Sequence, residues 1–101
     1  MIIYNVTLSI NPKIESSILV WLRETHIPEV MSTGLFLSSN IFKVIESHTE
    51  RTHNSYAIQY TLDSWEKFDD YSSNYMAEMQ SKTKLKFGEN VLAFRTFLEK
   101  I

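Results

Sequence analysis

From Ile2 to Ile10 the side chains alternate, with Ile2, Tyr4, Val6, Leu8 and Ile10 on one side and Ile3, Asn5, Thr7 and Ser9 on the other. A period of two residues is that of a β-strand, and a strand with one continuous apolar side must lay it against other elements. Asn11-Pro12 follows at once. It reads as a helix N-cap with proline at the first helical position, where its missing N–H costs nothing. Ile14, Ile18, Trp21, Leu22 and Thr25 then recur at helical spacing. His26-Ile27-Pro28 interrupts them, so a kink or a fresh turn starting at Pro28 is expected, and Gly34 should end the helix.

The second half repeats this order. Leu35 to about His48 favours strand, with Ser38-Ser39-Asn40 delaying its start, and the polar run Thr49 to Asn54 reads as a hairpin loop. Ser55 to Thr61 alternates again, Tyr56, Ile58 and Tyr60 opposing Ser55, Ala57, Gln59 and Thr61. Asp63 caps a second helix and Glu66 completes a capping box. The apolar stripe of that helix runs through Trp65, Phe68, Tyr75, Met76, Met79 and Leu85 to Gly88, and Val91 to Leu98 forms the last strand.

Strand–helix–strand–strand–helix–strand order predicts an α+β fold, the ferredoxin-like βαββαβ plait, with two helices on one face of a four-stranded antiparallel sheet. A chain of 101 residues suits a single domain over its whole length. The other sheet face is left bare. The first and third strands are central in such a plait, so Ile3, Asn5, Thr7, Ser9, Ala57, Gln59 and Thr61 set the character of that face. On the last strand, Leu92, Phe94, Thr96 and Leu98 are expected beneath the helices. Ala93, Arg95 and Phe97 are expected on the open side, where Arg95 avoids the core. A face holding Ile3 and Phe97 beside Asn5, Gln59 and Arg95 suits a partly wet cavity roofed by a second copy of the chain. The expected partner is therefore the chain itself, as a homodimer.

Several classes are excluded. The formal net charge of −2 gives no long-range attraction to nucleic acid or anionic lipid. With no cysteine there is no disulfide, thiolate nucleophile or zinc ribbon. The two glycines cannot build a phosphate-cradling loop or a dinucleotide fingerprint. There is no Gly-x-Ser-x-Gly elbow and no His-Glu-x-x-His pair. The third strand lacks the basic and glycine signature of RNA-recognition domains. No stretch reaches the roughly 18 apolar residues of a membrane span. The N-terminus lacks the basic region and cleavage site of a signal peptide, so a cytoplasmic address is the expectation. No cofactor and no metal site are expected: His48 and His53 flank the hairpin without a third ligand.

The segments MIIYNVT (1–7), HIPEVMSTGLF (26–36), YAIQYT (56–61) and FGENVLAFRTFLE (87–99) resemble the dimeric α/β-barrel superfamily. That group includes cofactor-free monooxygenases, haem-degrading enzymes and muconolactone isomerase-like proteins. More closely, the chain resembles a small bacterial family of unknown function. The resemblance implies the fold and a dimer, and no established reaction. Haem-degrading relatives pair a first-strand asparagine with a tryptophan and a second-helix histidine. Asn5 and Trp65 match in part, but residues 63–87 contain no histidine, which argues against haem degradation.

The resemblance makes His26 the first catalytic candidate, because a histidine recurs there near the pocket mouth. An imidazole near neutral pH can act as acid or base. The blander role, a helix-end histidine bonding free carbonyls, carries more weight because no partner carboxylate is identifiable. Asn5, Gln59, Arg95 and Trp21 are the ligand-binding candidates. Arg95 would grip a carboxylate bidentately, or all three polar groups would bond across a dimer seam. Trp65 and Tyr75 are read as core, not as part of an aromatic box with Trp21 and Tyr71. Two functions follow: a small organic molecule bound over the open face, with cofactor-independent oxidation or isomerisation as its chemistry, or a non-catalytic ligand sensor or dimerising scaffold. The sequence leaves open whether the protein is an enzyme.

Overall fold

The computed structural model describes residues 1–45 and 54–101, which places His48, His53 and the hairpin turn outside the described residues. The elements are β1 (Ile2–Ile10), a 3-10 turn (Pro12–Ile14), α1 (Glu15–Trp21), a π-helical turn (Leu22–His26), α2 (Ile27–Met31), β2 (Ser38–Lys43), β3 (Asn54–Leu62), α3 (Trp65–Asn74), α4 (Met76–Phe87) and β4 (Val91–Glu99). The sheet is antiparallel in the order β2-β3-β1-β4, so β1 and β3 are central and β4 is an edge. This is the expected α+β plait.

Local chemistry sets the boundaries. The Asn11 side chain accepts from Lys13 N–H at 3.0 Å, the N-cap its position promised. The helix does not stop at Pro28. It widens, the Ile27 N–H reaching back to the Leu22 carbonyl, five residues away. Proline has no N–H to give the ladder and crowds the carbonyl four residues back, and a wide turn relieves both problems. Leu22 and His26, four apart in that turn, therefore look the same way. The second helix also departs from expectation. Ser64, not Asp63, is its N-cap, accepting from Lys67 N–H at 3.4 Å, and Tyr75 (φ −130°, ψ −33°) breaks it into α3 and α4. The apolar stripe does not extend to both ends of the expected helix. Leu85 is exposed, and Trp65 lies half out of the core with its ring edge-on to Phe97 at 5.0 Å.

The core lies between the helices and one sheet face: Tyr4, Leu8 and Ile10 of β1, Tyr56, Ile58, Tyr60 and Leu62 of β3, and Ile18, Leu22, Val30, Tyr71, Met79 and Phe87 from above. Tyr4 is the hub of an aromatic cluster with Phe36, Tyr60, Phe68, Tyr71 and Phe97, all centroids within 6.4 Å.

The register of β4 overturns its expected orientation. Residues opposite one another across a sheet share a face. Tyr4 faces Phe97, Val6 faces Arg95 and Leu8 faces Ala93, so Ala93, Arg95 and Phe97 lie on the helix side. Ile3 faces Leu98, Asn5 faces Thr96 and Thr7 faces Phe94, which puts Leu98, Thr96, Phe94 and Leu92 on the open side. Both faces of this strand are apolar, so burial alone could not choose between them. A one-residue change of phase inverts every side chain.

Candidate functional site

A cavity lies beneath the helices, on the opposite side of the sheet from the open face. About 670 Å³ of space separates β1, β3 and β4 from α4 and the π-helical turn. Its sheet side is formed by Tyr4, Val6, Leu8, Ile58, Tyr60, Ala93 and Arg95, and its helical side by Leu22, His26, Tyr71, Met76 and Met79. The edge strand is only partly covered: α3 packs Trp65 and Phe68 on Phe97, yet every residue from Leu92 to Glu99 is exposed. Ala93 adds to the space by having almost no side chain.

Arg95 enters this cavity from β4 and donates from Nε to the Tyr4 hydroxyl at 3.1 Å. No carboxylate among the described residues lies within ion-pair distance of it. Burial pushes the Tyr4 phenol above its ordinary pKa, an effect the Arg95 charge opposes. Burial, and then the neighbouring phenols, push Tyr60 and Tyr71 up strongly as well. All three phenols therefore keep their protons at physiological pH.

His26 borders the cavity from the π-helical turn. Its ring stacks on Trp21 at 4.7 Å and 20°, and Trp21 in turn meets Phe87 edge-on. Burial holds the His26 pKa below the usual 6.5; Glu29 opposes the shift and Lys82 adds to it. Its Nδ1 is buried and has no hydrogen-bond partner among the described residues. Lys82 of α4 joins Glu29 of α2 and, at 3.4 Å, Glu78, which ties the two helices together beside the histidine.

The structure thus divides the sequence candidates between two places. His26 and Arg95 share the cavity. Trp21 does not line it and instead backs the histidine. Asn5 and Gln59 are cross-strand neighbours on the open face, with Asn5 Nδ2 donating to Thr7 at 3.1 Å and Thr96 at 3.2 Å. The expected trio of Asn5, Gln59 and Arg95 is split by the sheet, so the expected cavity over the open face loses its cation. The sequence did not mark Tyr4, Tyr60, Met76 and Met79 as lining residues, whereas Tyr71, considered for an aromatic box, does line the cavity. One signal was available: tyrosines at core positions carry hydroxyls that need partners or open space.

The fold and this site define a small α+β plait with a cavity between sheet and helices. Solved structures share the architecture. A protein of the ethyl tert-butyl ether degradation (EthD) family from Bacillus halodurans C-125 matches with a TM-score of 0.69 at 16% identity, covering 100% of both chains. A candidate monooxygenase from Shewanella loihica PV-4 matches at 0.54 and 17% identity, covering 99% of this chain and 94% of its own. No curated protein matches. The profile of a family described as a domain of unknown function, DUF4286, matches residues 1–101, and the chain belongs to that family.

Proposed function

We propose that this protein binds a small organic molecule in the cavity between α4 and the sheet. The observation that carries the reading is a space of about 670 Å³ whose inner part is walled by aliphatic, aromatic and methionine side chains with Arg95, His26 and tyrosine hydroxyls among them, and whose outer part along α4 adds Gln80, Ser81, Thr83 and Lys84. Small-molecule sites have that size and, like the inner part, a few polar groups on an apolar wall. The likeness to a candidate monooxygenase supports a ligand that is also a reactant, and His26, neutral near pH 7, is the group suited to take its proton. One fold hosts many chemistries, so the cavity itself supports binding first. An NMR screen with a mixture of neutral and charged aromatic fragments tests it. Shifts should gather on α4 and β4 and vanish in Ala93→Trp, which fills the space from an exposed position. Hits confined to the open face would refute the reading.

The homodimer has separate support. Leu92, Phe94 and Leu98 of β4 and Phe42 of β2 share the open face by register, and each is at least 42% exposed. Large apolar side chains exposed at both edges of one sheet face favour a self-complementary interface over solvent. Sedimentation of Phe94→Glu should give a monomer where the parent gives a dimer. A parent that sediments as a monomer at high concentration would end the claim.

A further inference from the structure

The polar groups around the cavity are unbalanced. A guanidinium has five N–H donors and no acceptor. In Arg95 the Nε–H is used by Tyr4, and that contact fixes the plane of the fork. Tyr60 and Tyr71 both line the cavity, and no described residue hydrogen-bonds either hydroxyl. Since burial keeps these phenols protonated, they can serve as donors. Tyr4 has accepted from Arg95 and retains its own O–H to give. The one carboxylate on the lining, Glu89, is exposed just beyond the end of α4, with Lys84 also on the lining. The inner wall is therefore rich in donors and carries a positive charge that no described carboxylate neutralises.

We propose that the ligand is a small organic acid, its anionic oxygens against Arg95 and the hydroxyls of Tyr60 and Tyr71 and its apolar body along Met76 and Met79. This rests on the cavity being the binding site and adds the class of molecule it takes. A carboxylate has room to accept from the outer N–H groups of the fork and from the hydroxyls of Tyr60 and Tyr71 together, which a neutral hydrocarbon cannot do. The methionines bear on selectivity. Their side chains deform to fit different shapes, so recognition rests on the acid group and extends to a set of acids with different apolar bodies. Tyr4 acts as a positioning residue, because it holds the guanidinium without being needed as a direct contact.

The test compares 4-phenylbutyrate with 4-phenylbutyramide, nearly the same shape with and without the charge, by 1H–15N NMR titration. The parent should bind the acid about tenfold or more tightly than the amide, the order expected for hydrogen bonds to a charged group. Arg95→Gln should bring the acid down to the affinity of the amide and leave the amide unchanged. Arg95 is exposed on an edge strand, so this variant should fold; Arg95→Lys, which keeps the charge and loses the fork, should fall between the two. Equal binding of acid and amide by the parent, or an acid affinity untouched by Arg95→Gln, overturns the proposal. If neither probe binds while neutral fragments still shift α4 and β4, the acid class fails alone. If no fragment shifts those elements, the cavity reading fails with it.

Discussion

Truncating Leu22 and Ile18 to alanine should give different losses of stability, because one residue borders the cavity and the other does not. Both side chains are buried, at 1% and 0% exposure, on neighbouring turns of the same helical run, and each truncation removes three carbons. At about 0.8 kcal/mol per buried methylene, the transfer loss is about 2.4 kcal/mol for either. The difference lies in what remains. Ile18 faces only packed core, so its removal leaves a sealed void, and large-to-small changes of this kind reach about 5 kcal/mol. Leu22 lines the existing cavity, so its removal enlarges a space already open to water. Leu22→Ala should therefore cost about 2–3 kcal/mol and Ile18→Ala about 4–5 kcal/mol. Loss of a β-branched residue from a helix returns a few tenths to Ile18→Ala and does not reverse the order. With urea slopes of about 1–3 kcal/mol per molar, the midpoints should separate by roughly 1 M. Urea unfolding at matched protein concentration reads this directly. If Leu22→Ala proves as costly as Ile18→Ala, the space beside Leu22 is closed in solution.

Three further outcomes follow from side chains already described. The His26 imidazole, followed by its C–H signals, should titrate below 6.5; because the unfolded chain then binds more protons, stability should be complete above pH 6.5 and fall as pH drops through the folded pKa, a slope that His26→Phe removes. A titration at or above 6.5 would show the ring to be solvated. Glu15 accepts from the Tyr56 hydroxyl and from Asn54 at 2.6 Å, contacts that lower its pKa in that order. Their contribution is present above pH 4.5 and lost as pH falls through the folded pKa, so Tyr56→Phe should cost about 1 kcal/mol at neutral pH and flatten the acid limb of the stability curve. Gly88 sits at φ 57° and ψ −131°, a conformation that side-chain-bearing residues avoid, so Gly88→Ala should cost about 1–3 kcal/mol by thermal unfolding although nothing lies within 4 Å of the added carbon.

The architecture was legible in the sequence because its signals are local and repeated. Alternation in β1 and β3, the Asn11-Pro12 start and the two glycines are each decided by neighbouring residues. The fold class, strand order and central strands follow from them. What failed was decided at long range. The phase of β4 depends on which residue of β1 each of its residues meets, and Val91 to Leu98 is apolar on both faces. Assigning Arg95 to the open side assumed that a charge would avoid the helices. On an edge strand the helices do not reach it, and a tyrosine hydroxyl receives it instead. The cavity was unreadable for the same reason, being the space between α4 and the sheet face that β4 completes. The resemblance pointed to His26, and that it borders the same cavity as Arg95 became visible only in three dimensions.

In the described sheet β4 is held along one margin, by β1, yet its two sides face different tasks. One carries the guanidinium and the other carries Phe94 and Leu92 outward. A ribbon pinned on a single margin yields more readily than one gripped on both, so whatever braces its outer side also steadies the arginine on the inner. If the proposed dimer and the proposed ligand both use β4, association and ligand uptake would be thermodynamically linked through that strand, each strengthening the other by the same factor. Dilution should loosen the hold on a bound acid, and saturating acid should resist dissociation of the pair.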